Sequence, residues 1–306
     1  MMVAEIKKKY GSLIKECEPM SLHSTWRCGG MARFFFQPKH VEQLITYLSE
    51  GEVTGIIWHG LGSNLLVRDG GFHGTVLSTT KALKNIEWSE NDKLVYAQSG
   101  VPCAKIAKES VVRNRKGLEF LVGIPGTIGG ALRMNAGASG SEIWNFVEEV
   151  ETVDSKGKIE TLKKSDFIPS YRNIRGPSTW FLGAKFRLTE SRTGEGLQKI
   201  QAMLSRRKAT QPIGKSSCGS VFINPKGEFA GRLIESCGLK GFRIGGAIVS
   251  PKHANFILNE NKASAADIEK LILYVRDFVR KETGIYLETE VQIVGKSKND
   301  LLVKRK

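Results

Sequence analysis

The sequence lacks three things that would have placed it quickly. It has no cysteine pair at metal-binding spacing, no long apolar run, and too few acidic residues to balance its basic ones. The five cysteines, Cys17, Cys28, Cys103, Cys218 and Cys237, are odd in number and far apart, and no Cys-x-x-Cys or Cys/His metal spacing occurs. Reduced structural thiols are therefore expected, with no disulfide framework and no metal. No stretch approaches the ~18 apolar residues of a membrane-spanning helix. The first residues, Met1 to Lys9, have no apolar core like that of a signal peptide, so a cytoplasmic protein without a membrane partner is expected. Internal repeats and low-complexity segments are also missing. At 306 residues, 41% hydrophobic and 25% charged, the chain suits a globular protein of one large or two to three small domains.

The shortage of acid leaves a net charge of +15. That charge fits a nucleic-acid binder, and equally an enzyme that steers small polyanions into a basic cleft. The lysines are scattered, with small clusters only at Lys7–Lys9 and Lys304–Lys306, and no basic stripe carries interleaved aromatics. Small anionic ligands are favoured over nucleic acid.

What is present is glycine, and it is concentrated. Gly123-Ile-Pro-Gly-Thr-Ile-Gly-Gly-Ala-Leu-Arg-Met-Asn-Ala-Gly-Ala138 holds five glycines in sixteen residues. So few side chains bring backbone close to a partner, and converging N–H groups suit a pyrophosphate. Upstream, Gly60-Leu-Gly-Ser-Asn64 follows a strand pattern and opens a turn, with Ser63 and Asn64 as short polar groups. Neither segment is a common nucleotide motif. Leu65 stands where the third glycine of a Rossmann fingerprint would be, and Ala209 stands where the P-loop ending Gly214-Lys215-Ser216 would need its first glycine. A less common dinucleotide fold is indicated.

Helix and strand signals alternate in the first part. A helix is expected over Pro38–Glu50, stopped by Gly51, and another from Pro102 to Gly117. Strands are expected near 55–58, 75–78 and 94–98, with a hairpin of 146–153 and 158–162 about Asp154–Gly157. Strict alternation over Trp180–Leu188 predicts a half-buried strand. The polar stretch Thr189–Gly196 marks a domain boundary. Beyond it, helices are expected at 197–208 and 229–237. A third is capped by Ser264 with Asp267, buries Ile268, Leu271, Ile272, Val275 and Val279, and stops at Gly284. The strand Ile285–Val294 follows, with Glu288 and Glu290 on one face and Leu287, Thr289 and Val291 on the other.

Three residues are candidates for chemistry. A strand glutamate, Glu288 or Glu290, either lies on a solvated face or lines a cleft. Ser220, beside Gly219 and followed by Asn224-Pro225, can give or take a proton if a partner is placed near it. Arg172, next to Tyr171 in a polar segment between two β regions, can stabilise negative charge developing on a substrate.

Together these residues resemble one family, the UDP-N-acetylenolpyruvoylglucosamine reductases of bacterial cell-wall synthesis. The resemblance runs from about His23 to Gly295. It is carried in the first half by His23-Ser-Thr-Trp-Arg-Cys-Gly-Gly30, Gly60-Leu-Gly-Ser-Asn-Leu-Leu66, Gly117 to Gly130, Asn135-Ala-Gly-Ala138 and Ser170-Tyr-Arg172. The second half adds Gln211-Pro212, Cys218-Gly-Ser-Val-Phe222, Ala230 to Gly241, His253-Ala-Asn-Phe256 and Glu288-Thr-Glu-Val291. No single motif is specific, but their joint order is.

The resemblance implies an α+β fold: a two-part FAD-binding domain of the vanillyl-alcohol-oxidase (PCMH) type, plus a C-terminal α+β substrate domain. The expected bounds are a lead-in at 1–22, the FAD domain at 23–190, split near 80, and the substrate domain at 191–306. It implies non-covalent FAD, NADPH as co-substrate, and hydride delivery from flavin N5 to the enolpyruvyl sugar nucleotide. By motif, Ser220 donates the proton, while Glu290 and Arg172 polarise the substrate carboxylate. Gly60, Gly62, Ser63, Asn64 and Leu65 fall to FAD. So do Gly123, Pro125, Gly126, Thr127, Gly129 and Gly130, with Gly126 and Gly129 nearest the pyrophosphate. Asn135, Gly137 and Ala138 complete the FAD set. Tyr171, Lys208 and Asn224 fall to the substrate. A monomer that binds no nucleic acid is expected.

Some features depart from the family. No segment matches the extra loop that drops a tyrosine over the substrate in some members. Gly246-Ala-Ile-Val249 lacks a glutamine that many relatives carry nearby. Cys218 shares the strand parity of Ser220 and is an alternative donor. A flavin oxidase of the same fold is the competing function. It would need other residues at Ser220 and Glu290, and His23, His59 and His73 sit in no clear motif for covalent flavin.

Overall fold

The hairpin and the alternating strand expected between 146 and 188 form three adjacent strands of a five-stranded antiparallel sheet. In a computed structural model, which describes residues 8–50, 55–90, 93–298 and 300, its order is Ile159–Lys163, Val147–Val153, Trp180–Arg187, Leu94–Gln98, Ile86–Trp88. The turn lies where the sequence placed it, with the Asp154 N–H donating to Lys158 O at 3.1 Å. Trp180–Arg187 is not half-buried, however. Phe181, Leu182, Gly183 and Ala184 are all buried, because this strand sits at the sheet centre with both faces covered. The alternation of large side chains is real, but small Gly183 marks a packed face. A Cβ there would stand 2.4 Å from the Tyr96 hydroxyl.

By packing, the chain divides into two units. The first contains 1–15, 35–61 and 75–207, and the second contains 16–34, 62–74 and 208–306. The division falls after Arg207, inside the helix Glu195–Thr210, and not at Thr189–Gly196. Two contacts account for the shift. Thr189–Glu190 pairs with Arg115–Lys116, and Ile200 of the helix is buried in the first unit's core. That core gathers Ile106, Leu121, Ile128, Leu132, Trp144, Val150 and Phe186.

Elsewhere in the first unit, Ile56–His59 pairs in parallel with Thr75–Ser78. The helix Val41–Ser49 buries Leu44, Tyr47 and Leu48. Gln43 Oε1 accepts the Lys39 N–H at 2.9 Å, which closes its start. Gly51, its expected stop, lies outside the described residues, as do Lys7 and the cluster Lys304–Lys306. The helix after Pro102 runs only from Cys103 to Val112, short of Gly117. Asn114 turns the chain with φ 53°, and Arg115–Lys116 is already extended.

The second unit is organised by the helix Ala265–Thr283. Ser264 Oγ accepts the Asp267 N–H at 3.0 Å, and Gly284 ends the helix at φ 74°. Asp69 adds its carboxylate to the helix start, accepting the N–H groups of Ala265 and Ala266 at 3.1 and 2.9 Å. Acidic groups at this end complement the helix dipole. Ile268, Leu271, Ile272, Val275 and Val279 are all buried, as their spacing predicts. Each is worth about 1.5–3 kcal/mol when fully removed from water. Trp26 is fully buried in the same core, and its indole Nε1 donates to Ile257 O at 2.8 Å.

The expected strand Ile285–Val294 shrinks to Gln292–Val294, paired in parallel with Leu65–Val67. Its alternation survives: Leu287 and Val291 are buried, while Glu288 and Gln292 are exposed. Gly246–Val249, where a substrate contact was in question, is a fully buried stretch that includes the strand Ala247–Val249. Among the described residues, no helix is long and apolar enough to cross a membrane.

Candidate active site

In the first unit the two glycine segments meet. A Cβ on Gly60 would stand 2.6 Å from Thr127 Oγ1, so only glycine lets the upstream turn reach Thr127. Backbone bonds fix the segment from Gly126 to Gly129. Gly126 O accepts the Cys103 N–H at 2.9 Å, Val101 O accepts the Ile128 N–H at 2.9 Å, and Ser99 O accepts the Gly129 N–H at 2.8 Å.

These bonds correct part of the phosphate-nest expectation. Gly126 and Gly129 give their N–H groups to protein carbonyls, Gly126 to Ile124 O. Gly129 is a packing glycine, buried against Ser99, whose Cβ would lie 2.8 Å from an added side chain. The bare backbone lies instead at Gly123 and Gly130. Around Gly130 the nearest atom to an added Cβ is Thr127 Oγ1 at 3.9 Å, and around Gly123 it is Arg207 Cδ at 3.9 Å. Pro125 between them is exposed.

Asn135, expected at the FAD, is fully buried and its side-chain amide is bonded within the protein. Its Nδ2 donates to Glu142 Oε2 at 2.8 Å and to Ser170 O at 3.0 Å. The Ser170 bond anchors a hairpin, Ile168–Ser170 with Asn173–Arg175, whose two-residue tip is Tyr171-Arg172. Arg172 adopts φ 57°, an uncommon conformation for a side-chain-bearing residue. Its Nη2 donates to Gly137 O at 3.2 Å, and its guanidinium lies 5.1 Å from the centre of the Tyr171 ring. Gly137 pairs with Glu142, and Ala138 with Ser141, in a short antiparallel ladder. A Cβ on Gly137 would clash with Ser141 O at 2.7 Å. Arg172 is thus held on backbone that Asn135 and Gly137 organise.

In the second unit, the backbone segments that carry Ser220 and Glu290 pair with one another. The segments that carry them run antiparallel, joined by a bridge between Phe222 and Thr289. The Glu290 N–H donates to Val221 O at 2.8 Å, and the Ile223 N–H donates to Glu288 O at 2.9 Å. Asn64 closes this arrangement. Its Nδ2 donates to Glu290 O at 3.0 Å, and its own carbonyl accepts the Gln292 N–H at 3.1 Å. Gly62 O accepts the Thr25 N–H at 3.2 Å. Ser63 is half-buried in this loop, and Leu65 is buried beyond it. Asn224 Oδ1 accepts the Ala230 N–H at 3.0 Å, ahead of the helix Ala230–Ser236. Lys208 is exposed, and its carbonyl accepts Lys252 Nζ at 2.6 Å.

Cys218 is not placed as Ser220 is. Strand parity fails because Gly219 takes φ 73°, which only glycine adopts at no cost. Cys218 turns into the core, 3% exposed, with Sγ 3.2 Å from Thr25 Oγ1 and 3.6 Å from Gly62 O. Burial pushes its thiol pKa up. Cys218→Ala is expected to leave turnover within about twofold while lowering stability by about 1 kcal/mol through lost packing. Steady-state kinetics and a thermal melt check this.

Motif reading missed three things. Arg207, half-buried beside Gly123, has its pKa lowered by burial. Asn64 tethers Glu290, and Asn255 grips the segment after Ser220. Asn64 was visible as a polar turn residue but not as a partner of Glu290, and Asn255 was visible as a polar residue in an otherwise apolar run from Ala254 to Leu258.

Bare backbone at Gly123 and Gly130, flanking Pro125 to Thr127 with a partly desolvated arginine alongside, fits the flat, anionic body of a flavin dinucleotide. Residues 32–163 match the FAD binding domain family. The chain is accordingly an FAD-dependent oxidoreductase. Residues 211–294 match the C-terminal domain of UDP-N-acetylenolpyruvoylglucosamine reductase. The reductase of that name from Methylococcus capsulatus is 49% identical over 284 residues, covering 92% of this chain and 93% of that one. The Legionella pneumophila (strain Corby) reductase is 46% identical over 295 residues, covering 95% of each. The crystal structure of UDP-N-acetylenolpyruvylglucosamine reductase from Thermus caldophilus aligns with a TM-score of 0.77 at 30% identity, covering 92% of this chain and 98% of that chain. The chain belongs to the UDP-N-acetylenolpyruvoylglucosamine reductase family.

Proposed function

We propose that this chain reduces UDP-N-acetylglucosamine enolpyruvate to UDP-N-acetylmuramate, with NADPH as the hydride source, in the synthesis of peptidoglycan precursors. The observation that carries this is the pairing of the Ser220 and Glu290 segments, whose backbones are locked by bonds at 2.8 and 2.9 Å, in a chain of this family. Net reaction adds one hydride and one proton across the enol-ether double bond and yields NADP⁺. FAD, held on the glycine segments, supplies the two-electron chemistry between nicotinamide and substrate.

The protein's part is charge and proton. Hydride addition beside a carboxylate builds an enolate-like dianion. Arg172 and Glu290 are assigned to that carboxylate, the first by charge and the second by hydrogen bonding, and such groups are typically worth a few kcal/mol each. The Ser220 hydroxyl gives its proton to the enolate carbon and regains one from water, a contribution of roughly 10²–10⁴-fold. Tyr171, Lys208 and Asn224 are assigned to the sugar nucleotide. Gly60, Gly62–Leu65, Gly123, Pro125, Gly126, Thr127, Gly130, Gly137 and Ala138 are assigned to FAD. The ligand-binding bounds 23–190 and 191–306 belong to this proposal and differ from the packing division. A cytoplasmic monomer goes with it, since NADPH is made in that compartment.

Purified protein is expected to be yellow, to release FAD on denaturation, and under anaerobic conditions to consume NADPH beyond one equivalent per FAD only when the enolpyruvyl sugar nucleotide is added. A colourless filtrate, flavin that stays on the chain, or NADPH consumption indifferent to that substrate each count against the proposal.

A further inference from the structure

Asn255 is 3% exposed, and both ends of its side chain are used. Oδ1 accepts the Phe222 N–H at 2.9 Å, and Nδ2 donates to Phe222 O at 2.8 Å. Its own carbonyl accepts the Val221 N–H at 2.9 Å. One asparagine therefore satisfies three of the four backbone groups immediately after Ser220, and the fourth, Val221 O, accepts the Glu290 N–H. A side-chain amide carries the same donor and acceptor as a peptide, so Asn255 acts as a strand edge where no strand exists.

The segment needs such a grip. On one side Gly219, at φ 73°, gives it a bend, and on the other Asn224-Pro225 ends it. Apart from Asn255, the bonds described here that fix its backbone are those with Glu288 and Glu290. Asn255 and the 288–290 segment thus hold Val221 and Phe222 from two sides. A shift of either peptide would carry the Ser220 hydroxyl with it.

We propose that Asn255 is a positioning residue for the reaction. Through Val221 and Phe222 it sets where the Ser220 hydroxyl stands relative to Glu290. This rests on the assignment of Ser220 as proton donor.

Two variants test it in FAD-loaded protein. Asn255→Asp keeps the size and the acceptor, but sets an oxygen against Phe222 O. Asn255→Ser removes both side-chain bonds. Anaerobic rapid mixing follows loss of flavin absorbance with NADPH and its recovery with UDP-N-acetylglucosamine enolpyruvate. Recovery is expected to slow on the order of 10²-fold relative to the loss, the scale of a misplaced catalytic group. Added to Ser220→Ala, either substitution is expected to cost little more, because a misplaced hydroxyl and a missing one converge. Either variant that retains FAD suffices.

A wild-type ratio of the two rates overturns the inference and leaves Ser220 standing. So do losses that multiply in the double variant. Loss of FAD from both variants marks Asn255 as purely structural and also overturns it. If Ser220→Ala alone recovers at the wild-type rate, the donor assignment fails and the inference fails with it.

Discussion

Ser220→Ala should leave bleaching of the flavin by NADPH near its wild-type rate and slow reoxidation by the enolpyruvyl sugar nucleotide by roughly 10²–10⁴-fold. The asymmetry follows from where the proton goes. NADPH oxidation transfers a hydride and needs no donor at the substrate carbon. Reduction of the enol ether leaves an enolate that must be protonated before product forms. Ser220 sits half-buried on a segment whose backbone is bonded to Asn255 and to 288–290, so its removal deletes one hydroxyl and disturbs little else. Flavin content and melting temperature should be unchanged. Anaerobic stopped-flow reads both halves in one instrument. Equal slowing of both halves would mean that Ser220 supports flavin binding or folding. Wild-type reoxidation would mean that another group, or water, delivers the proton.

Much of this was legible from the chain. The Ser264–Gly284 helix was readable end to end, because capping box, apolar spacing and C-terminal glycine are all local signals. The strand Leu94–Gln98 was likewise found at its observed bounds. Trp180–Arg187 was placed correctly, but its burial was misjudged, since period-2 alternation cannot show what covers the second face. The final strand failed for a related reason: alternation over 285–294 reports a buried face, whereas ladder partners come from elsewhere in the chain.

In the site, residue type was readable and employment was not. Gly129 and Gly130 are neighbours of identical composition, yet one is packed and one is open. Asn135 looked like a ligand residue, but its amide is committed to Glu142 and Ser170. Three asparagines, one in the first unit and two in the second, share a job the sequence does not display. Asn135 holds Ser170 O next to Tyr171-Arg172, Asn64 holds Glu290 O, and Asn255 holds Phe222 beside the Ser220-Val221 step. Each replaces a missing strand partner at irregular backbone, where buried peptide groups would otherwise go unsatisfied. Irregular backbone is what a ligand site demands, and long-range side-chain pairing is what motif reading cannot see.

That difference between neighbouring glycines gives the second large effect. Gly129→Val should destabilise the fold. Its Cβ would lie 2.8 Å from Ser99 Cβ and 3.2 Å from Ser99 O, and the Gly129 N–H is already bonded to that carbonyl, so backbone has to move. Overpacking of this kind typically costs about 1–3 kcal/mol and sometimes more. Insolubility, or a melting point lower by roughly 2–12 °C, is expected. Gly130→Val should behave in the opposite way. Gly130 is exposed, sits in the helix Ile128–Arg133, and has only Thr127 Oγ1 at 3.9 Å near an added Cβ. Valine costs no more than glycine in a helix, so the apoprotein should melt as wild type does. Its isopropyl group would then occupy backbone surface assigned to the flavin, and the purified protein should carry little FAD. Thermal melts of the flavin-stripped proteins, together with FAD content as purified, separate the two residues. If Gly130→Val retains full FAD, the bare surface beside Thr127 is not where the cofactor lies. If Gly129→Val melts like wild type, the contact with Ser99 does not hold the helix as described.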